Sequence, residues 1–116
     1  MSELRAVHAV VRLELLDRVV QRLKRAGVPR MTVQRVHAIG AGVDPATARI
    51  SLDEGTELAE KALIEFICPA TDAEEFTRVA AAAAHTGRQG DGVVWVADVH
   101  TVQKIRTGVR GAEALR

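Results

Sequence analysis

A glycine-rich segment at residues 85–92 carries the residue types in this chain that are best suited to chemistry. It reads His-Thr-Gly-Arg-Gln-Gly-Asp-Gly and leads into an apolar run that begins at Val93. Glycine allows positive φ and lets a ligand come close to main-chain N–H groups, and successive N–H groups in such a turn form a concavity for anions. A basic element, Lys104-Ile105-Arg106, follows in the tail. Together the two segments predict a site for a phosphate-bearing ligand.

Other reactive residue types give no comparable pattern. The four histidines are dispersed, and no two have a spacing typical of metal ligands, so we predict no metal site. We find no nucleophile paired with a base and predict no catalytic residues. Asp91 is interpreted as a cap that closes its turn through the side chain. The single cysteine, Cys68, ends an apolar run and is expected to be a buried, unreactive thiol.

The composition is that of one packed domain, residues 1–116. Hydrophobic residues make up 47% of the chain and aromatic residues only 3%, so the core must be largely aliphatic. The 16 basic and 15 acidic residues leave a net charge of +1, which argues against a nucleic-acid-binding protein. Residues 1–5 contain no signal-peptide core, and no apolar run approaches the roughly 20 residues of a membrane span. We therefore expect a cytoplasmic protein without direct membrane insertion.

Hydrophobic periodicity predicts the elements that position the glycine-rich segment. An amphipathic pattern predicts a helix over residues 15–23 that ends at Gly27. A second helix is predicted after Pro69, with Thr71 and Glu74 as a capping box. Residues 41–60 show no clear period and are predicted to form a long loop. Apolar, β-branched runs predict four strands, at residues 4–11, 32–39, 61–68 and 93–99.

The order of these elements predicts an α+β fold of the ferredoxin-like type. The βαββαβ pattern gives an antiparallel sheet with two helices on one face. Apolar residues also fall on the opposite sheet face, so a single domain of this kind is expected to oligomerise through that face.

The chain resembles the PII family of nitrogen-regulatory signal proteins along essentially its whole length. The match is clearest at residues 85–99, and it continues through Ile105-Arg106-Thr107-Gly108 and residues 112–115. The resemblance implies a homotrimer that binds ATP or ADP in clefts between subunits. It also implies regulation of a target protein, either a membrane transporter or a metabolic enzyme. By position, residues 41–59 resemble the family's T-loop, residues 85–93 its B-loop, and residues 104–116 its C-loop.

The resemblance also assigns ligand contacts to individual positions. The glycine-rich segment would hold phosphates, and Lys61 matches the family's lysine at the base of the T-loop. Lys104 and Arg106 would reach in from the adjacent subunit, and their spacing lets both point to one side of a strand. The full set of predicted ligand-binding residues is Thr32, Gly40, Lys61, Glu65, Ile67, Thr86, Gly87, Arg88, Gly90, Asp91, Gly92, Lys104 and Arg106.

Departures from the family pattern limit what the resemblance implies. Val93 stands where the family has a phosphate-binding lysine, and Ala41-Gly42-Val43 replaces its Arg-Gln-Lys. Loss of that glutamine makes binding of Mg²⁺ and 2-oxoglutarate doubtful. Glu54 occupies the position of the modified tyrosine and the chain has no tyrosine, which excludes uridylylation. Two alternatives stay open: a PII-like sensor of AMP, a cyclic nucleotide or bicarbonate, and a trimer that has lost ligand binding.

Overall fold

Five strands and two α-helices make up the residues that the computed structural model describes, 3–40, 49–50 and 57–116. Short 3₁₀ helices lie at Leu13–Leu15 and Gly111–Leu115. The predicted α+β class is confirmed, while most of the T-loop-like segment lies outside the described residues. The elements are β1 (Leu4–Arg12), α1 (Leu16–Ala26), β2 (Thr32–Ile39), β3 (Arg49–Ile50), β4 (Glu57–Pro69), α2 (Ala70–Ala84) and β5 (Val93–Val99).

The strands form one antiparallel sheet in the order β2-β4-β1-β5, and β3 pairs with β4. This is the ferredoxin-like arrangement that the element order predicts. The prediction that residues 57–60 belong to a loop is wrong, because β4 begins at Glu57. The backbone there has partners on both sides: Leu58 pairs with Ile39 of β2 and with Arg49 of β3.

One face of the sheet packs against both helices, as predicted. The register places Val7 opposite Phe66 and Ala9 opposite Ile64, so alternate residues of β1 and β4 share this face. The rings of Phe66 and Phe76 meet edge-on with centroids 5.7 Å apart. Full burial of such side chains stabilises the fold by roughly 1.5–3 kcal/mol each. The buried core includes Val7, Ala9, Val11, Val19, Leu23, Ala62, Ile64, Phe66, Ala73, Phe76, Ala80 and Ala83.

The two helices begin and end for different reasons. Helix α1 ends as predicted at Gly27, which has φ of 112° and donates its N–H to the carbonyls of Leu23 and Lys24. The predicted capping box is wrong, because α2 begins at Ala70 and has no side-chain cap. The chain passes directly from Pro69, the last residue of β4, into α2, so Thr71 lies inside the first turn of the helix. No helix in the described ranges is long and apolar enough to cross a lipid bilayer.

Candidate functional site

The sheet face opposite the two helices is here called the uncovered face. The glycine loop, residues 85–92, connects α2 to β5 and passes over one end of this uncovered sheet face. Gly87, Gly90 and Gly92 have φ of 90°, 102° and 99°. A Cβ at Gly92 would lie 2.9 Å from the carbonyl carbon of Val10 and even closer to its oxygen. The loop therefore approaches β1 as closely as it does because Gly92 has no side chain.

Asp91 organises the first half of this loop from within. Its carboxylate accepts the N–H groups of Thr86 at 2.8 Å and Gly87 at 2.9 Å, and also the hydroxyl of Thr86. The Arg12 guanidinium bonds to the same carboxylate at 3.2 Å. The hydrogen bonds from Thr86, followed by those from Gly87 and Arg12, hold the pKa of Asp91 well below its usual range. The interpretation of Asp91 as a turn cap is confirmed.

Two buried cations lie beneath the second half of the loop. Arg12 of β1 is 2% exposed and Lys61 of β4 is 4% exposed, and they are directly paired in the sheet. Arg12 Nη2 donates to the Gln89 carbonyl at 2.8 Å, and Lys61 Nζ donates to the Gly90 carbonyl. Burying a charge is costly unless it is paired and hydrogen-bonded. These bonds therefore tie the loop carbonyls to the end of the sheet.

A first cleft, the loop cleft, has a volume of about 500 Å³ and lies against the glycine loop. Its other walls come from β1, β2 and β4, including Val10, Ala38 and Lys61. Exposed Val93 also lines it. The predicted ligand residues that line the loop cleft are Lys61, Arg88, Gly90, Asp91 and Gly92.

A second cleft, the tail cleft, has a volume of about 720 Å³ and lies at the other end of the same sheet face. The start of β2 and the tail close its sides, and Ala114 and Leu115 of the second 3₁₀ helix contribute to one wall. The predicted ligand residues in the tail cleft are Thr32, Glu65, Ile67 and Lys104. The remaining predicted residues, Gly40, Thr86, Gly87 and Arg106, line neither cleft.

The two predicted ligand cations of the tail, Lys104 and Arg106, have different surroundings. Lys104 exchanges main-chain hydrogen bonds with Val109 and Gly108, both at 2.8 Å. Residues 105–107 form a turn. The prediction that Lys104 and Arg106 point to one side of a strand is therefore wrong. Lys104 Nζ bonds to the Arg116 carbonyl, which also accepts Arg30 Nη2 at 3.1 Å. Arg106 instead lies in the exposed turn.

One row of side chains crosses the uncovered sheet face from edge to edge. The strand register aligns Thr32, Glu65, His8 and Trp95 on β2, β4, β1 and β5. His8 Nδ1 lies 2.9 Å from Glu65 Oε2, and its ring stacks on Trp95 with centroids 4.9 Å apart. His8 also lines the tail cleft, although no sequence pattern marked it as a ligand-binding residue. Only the strand register places His8 beside Glu65, and no local sequence motif predicts that register.

Two further sequence predictions concern reactive groups. Cys68 is buried, as predicted, and burial raises the pKa of its thiol to about 11, with a further contribution from Asp72. Within the described parts of the chain, no three His, Cys, Asp or Glu side chains cluster closely enough to hold a metal ion.

The fold and the two clefts define a small α+β domain that offers concave, partly apolar surfaces suited to small ligands. The family model described as nitrogen regulatory protein P-II matches residues 4–109. Nitrogen regulatory protein P-II 1 of Methanothermobacter thermautotrophicus is 31% identical over 115 residues, which cover 99% of this chain and 100% of that protein. The GlnK2 protein of Haloferax mediterranei is 33% identical over 114 residues, covering 97% and 91%. The chain belongs to the nitrogen regulatory protein P-II family.

Solved structures agree with this assignment. The GlnK–ATP complex of B. subtilis superposes with a TM-score of 0.78 at 26% identity, covering 96% of each chain. PII of Arabidopsis thaliana bound to citrate gives a TM-score of 0.81 at 26% identity, covering 100% of this chain and 93% of that one. The resemblance inferred from the sequence is therefore confirmed at the level of family and fold.

Proposed function

We propose that this protein is a cytoplasmic regulator that binds ATP or ADP between the chains of a homotrimer. Its target would be a membrane transporter or a metabolic enzyme, contacted through the segment 41–59. A ligand signals only if it interacts differently with two states of the protein. ATP and ADP differ in charge and length at the phosphate end, so the glycine loop is where they would be distinguished.

The observation that carries this proposal is the division of the predicted ligand residues between two clefts. Lys61 of the loop cleft and Glu65 of the tail cleft are four residues apart on β4, or about 13 Å along a strand. In a ring assembly, each chain uses one patch against a different patch of its neighbour. Such a contact would bring the tail cleft of one chain against the loop cleft of the next. Exposed Trp95 and Val93 supply apolar surface for this contact.

The chemistry of each cleft suits a different part of a nucleotide. Apolar Ile67 with polar Thr32 and Glu65 fits a nucleoside, while N–H groups of the glycine loop with Arg88 fit phosphates. The similar B. subtilis GlnK was solved with ATP, which supports an adenine nucleotide as the ligand. Lys104 would add a cation from the tail.

Calorimetric titration with ATP and ADP, combined with sedimentation, tests the proposal directly. We expect a trimeric mass and binding of both nucleotides. Lys104→Ala should lower the affinity for ATP roughly tenfold or more, because a charge-assisted hydrogen bond to the nucleotide is lost. Lys24→Ala, which removes an exposed lysine from the last turn of α1, is the matched control and should bind like the wild type. A monomeric mass, or equal affinity in the Lys104 and Lys24 variants, would contradict the proposal.

The same titration tests the expectation about 2-oxoglutarate. Residues 41–43 lie outside the described part of the chain, so this stays a prediction from the sequence. Without the family's Arg-Gln-Lys we expect little discrimination between ATP and ADP and little dependence on Mg²⁺. Tight ATP binding that is enhanced by Mg²⁺ and 2-oxoglutarate would contradict it.

A second candidate ligand carries fewer phosphates. Val93 is 56% exposed in the loop cleft and cannot neutralise phosphate charge. This observation favours AMP, a cyclic nucleotide or bicarbonate over ATP. A thermal-shift comparison across these ligands separates the candidates, and a trimer that has lost ligand binding would respond to none of them.

A further inference from the structure

Arg12 contacts the glycine loop at two points from beneath. Its Nε atom lies 3.2 Å from the Asp91 carboxylate, and its Nη2 atom donates to the Gln89 carbonyl at 2.8 Å. The guanidinium group is planar and its donors have a fixed geometry. A single buried side chain therefore fixes the position of the loop's internal carboxylate relative to its main chain.

These contacts determine which way the next N–H groups point. In a trans peptide, the carbonyl of one residue and the N–H of the next point in opposite directions. Arg12 draws the Gln89 carbonyl toward the sheet, and Lys61 does the same to the Gly90 carbonyl. The N–H groups of Gly90 and Asp91 consequently point away from these cations. Both residues line the loop cleft.

The first half of the loop cannot serve an external anion in the same way. Its N–H groups at Thr86 and Gly87 are bonded to Asp91, and that of Arg88 is bonded to the Thr86 hydroxyl. An external phosphate would have to displace these bonds. The second half of the loop is thus the part that can accept a phosphate without rearrangement.

We propose that Arg12 is a positioning residue for phosphate recognition, one that holds the glycine loop with the Gly90 and Asp91 N–H groups turned away from the sheet cations and available to a ligand. Arg12 does not touch the ligand and acts through Asp91 and Gln89. The inference has two halves. The ligand half, that Arg12 raises the affinity for a phosphate ligand, rests on the proposed nucleotide binding. The loop half, that Arg12 holds the conformation of the glycine loop, does not.

The test uses two Arg12 variants and a control on the same strand. Arg12→Gln removes the charge and the guanidinium donors, and Arg12→Lys keeps the charge but loses the planar, fixed arrangement of donors that bonds Asp91 and Gln89. Arg5→Gln is the control, because Arg5 also lies on β1 and pairs with an aspartate, Asp98, at 3.2 Å outside the loop. Each protein is titrated with ATP and with adenosine, and amide hydrogen exchange is followed across residues 86–92.

For Arg12→Gln we expect ATP affinity to fall at least tenfold, adenosine affinity to stay within twofold, and loop exchange to rise at least tenfold. Arg12→Lys should recover only part of the ATP affinity, and Arg5→Gln should match the wild type. A purely structural role would lower both affinities together, and that result would overturn the inference. So would a lysine variant as tight as the wild type, because charge alone would then suffice.

The exchange measurement separates this inference from the proposed function. If the wild type binds no nucleotide, the proposed function fails, and the same result overturns the ligand half of the inference. Faster exchange of residues 86–92 in Arg12→Gln would still support loop positioning. Unchanged exchange would overturn the loop half whatever the nucleotide affinity.

Discussion

Replacing Gly92 with alanine tests the closest approach in the glycine loop. Gly92 has φ of 99°, and a Cβ built there would lie 2.9 Å from the carbonyl carbon of Val10 and 3.4 Å from the Cα of Val11. These are main-chain atoms of a central strand, so they cannot move aside as a flexible side chain can. Gly87 provides a matched control, because its φ is 90° and its Cβ would meet only a His85 ring atom at 3.8 Å.

The two substitutions share one cost and differ in another. Forcing an L-residue into the left-handed region costs about 1–2 kcal/mol, which is the whole expected loss for Gly87→Ala. Gly92→Ala adds steric overlap with the main chain, and overpacking at a packed site costs about 1–3 kcal/mol more. We therefore expect losses of about 1–2 kcal/mol at Gly87 and about 2–5 kcal/mol at Gly92. For a domain of this size, each kcal/mol lowers Tm by about 4 °C.

Urea unfolding, followed at one fixed protein concentration, measures both losses. The concentration is fixed because the stability of an associating protein depends on it. Nucleotide titration of the same samples shows whether the loop has lifted from β1 without unfolding the domain. Equal free energies of unfolding and equal nucleotide affinities in the two variants would refute the close approach of the loop to β1.

Three further predictions follow from the charges and the uncovered face. Asp91→Asn should have a lower free energy of unfolding than the wild type at pH 7, as measured in urea. The gap between the two proteins should shrink below about pH 4, because the hydrogen bonds that lower the pKa of Asp91 stabilise the fold only while its carboxylate is charged. A gap in unfolding free energy that stays constant down to about pH 3 would contradict this. Cys68 should resist iodoacetamide at pH 8 until denaturant is added, since burial raises its pKa to about 11, and alkylation at the rate of a free thiol would be the opposing result. Trp95→Glu should convert the proposed trimer to monomers by sedimentation, because Trp95 is 43% exposed on the face expected to be covered; an unchanged mass would place the interface elsewhere.

The sequence was sufficient for the elements whose signals are local. β5 spans the predicted residues 93–99, and α1 ends at the predicted Gly27. Periodicity and glycine conformation both act within a few neighbouring residues, which is why these predictions hold. The start of β4 was missed because residues 57–60 owe their strand conformation to partners on β2 and β3. A strand end that is set by pairing leaves little trace in its own sequence.

The site divides in the same way between local and long-range information. The glycine loop and the tail cations were found by residue type, and the turn-capping role of Asp91 was also predicted. Arg12 and His8 were not singled out, because each acts through a residue that is distant in sequence. A period of two tells which sheet face a residue occupies, but not which partner stands opposite it. Register supplies that partner, and it places Arg12 beside Lys61 and His8 beside Glu65.

The two ends of the uncovered sheet face bear directly on the proposed site between chains. One end holds the glycine loop over two buried cations, and the other holds Glu65 and Thr32 beside the tail. Lys61 at one end and Glu65 at the other lie on the same continuous strand, β4, so the chain cannot fold its own loop cleft onto its own tail cleft. A compact ligand that contacts both sets at once would therefore have to lie between chains, as proposed above. If the ligand is the proposed intersubunit nucleotide, it binds the assembled form and not the separate chains, and nucleotide binding and assembly then strengthen each other. The apolar uncovered face and the divided site are, on this argument, two consequences of the same sheet.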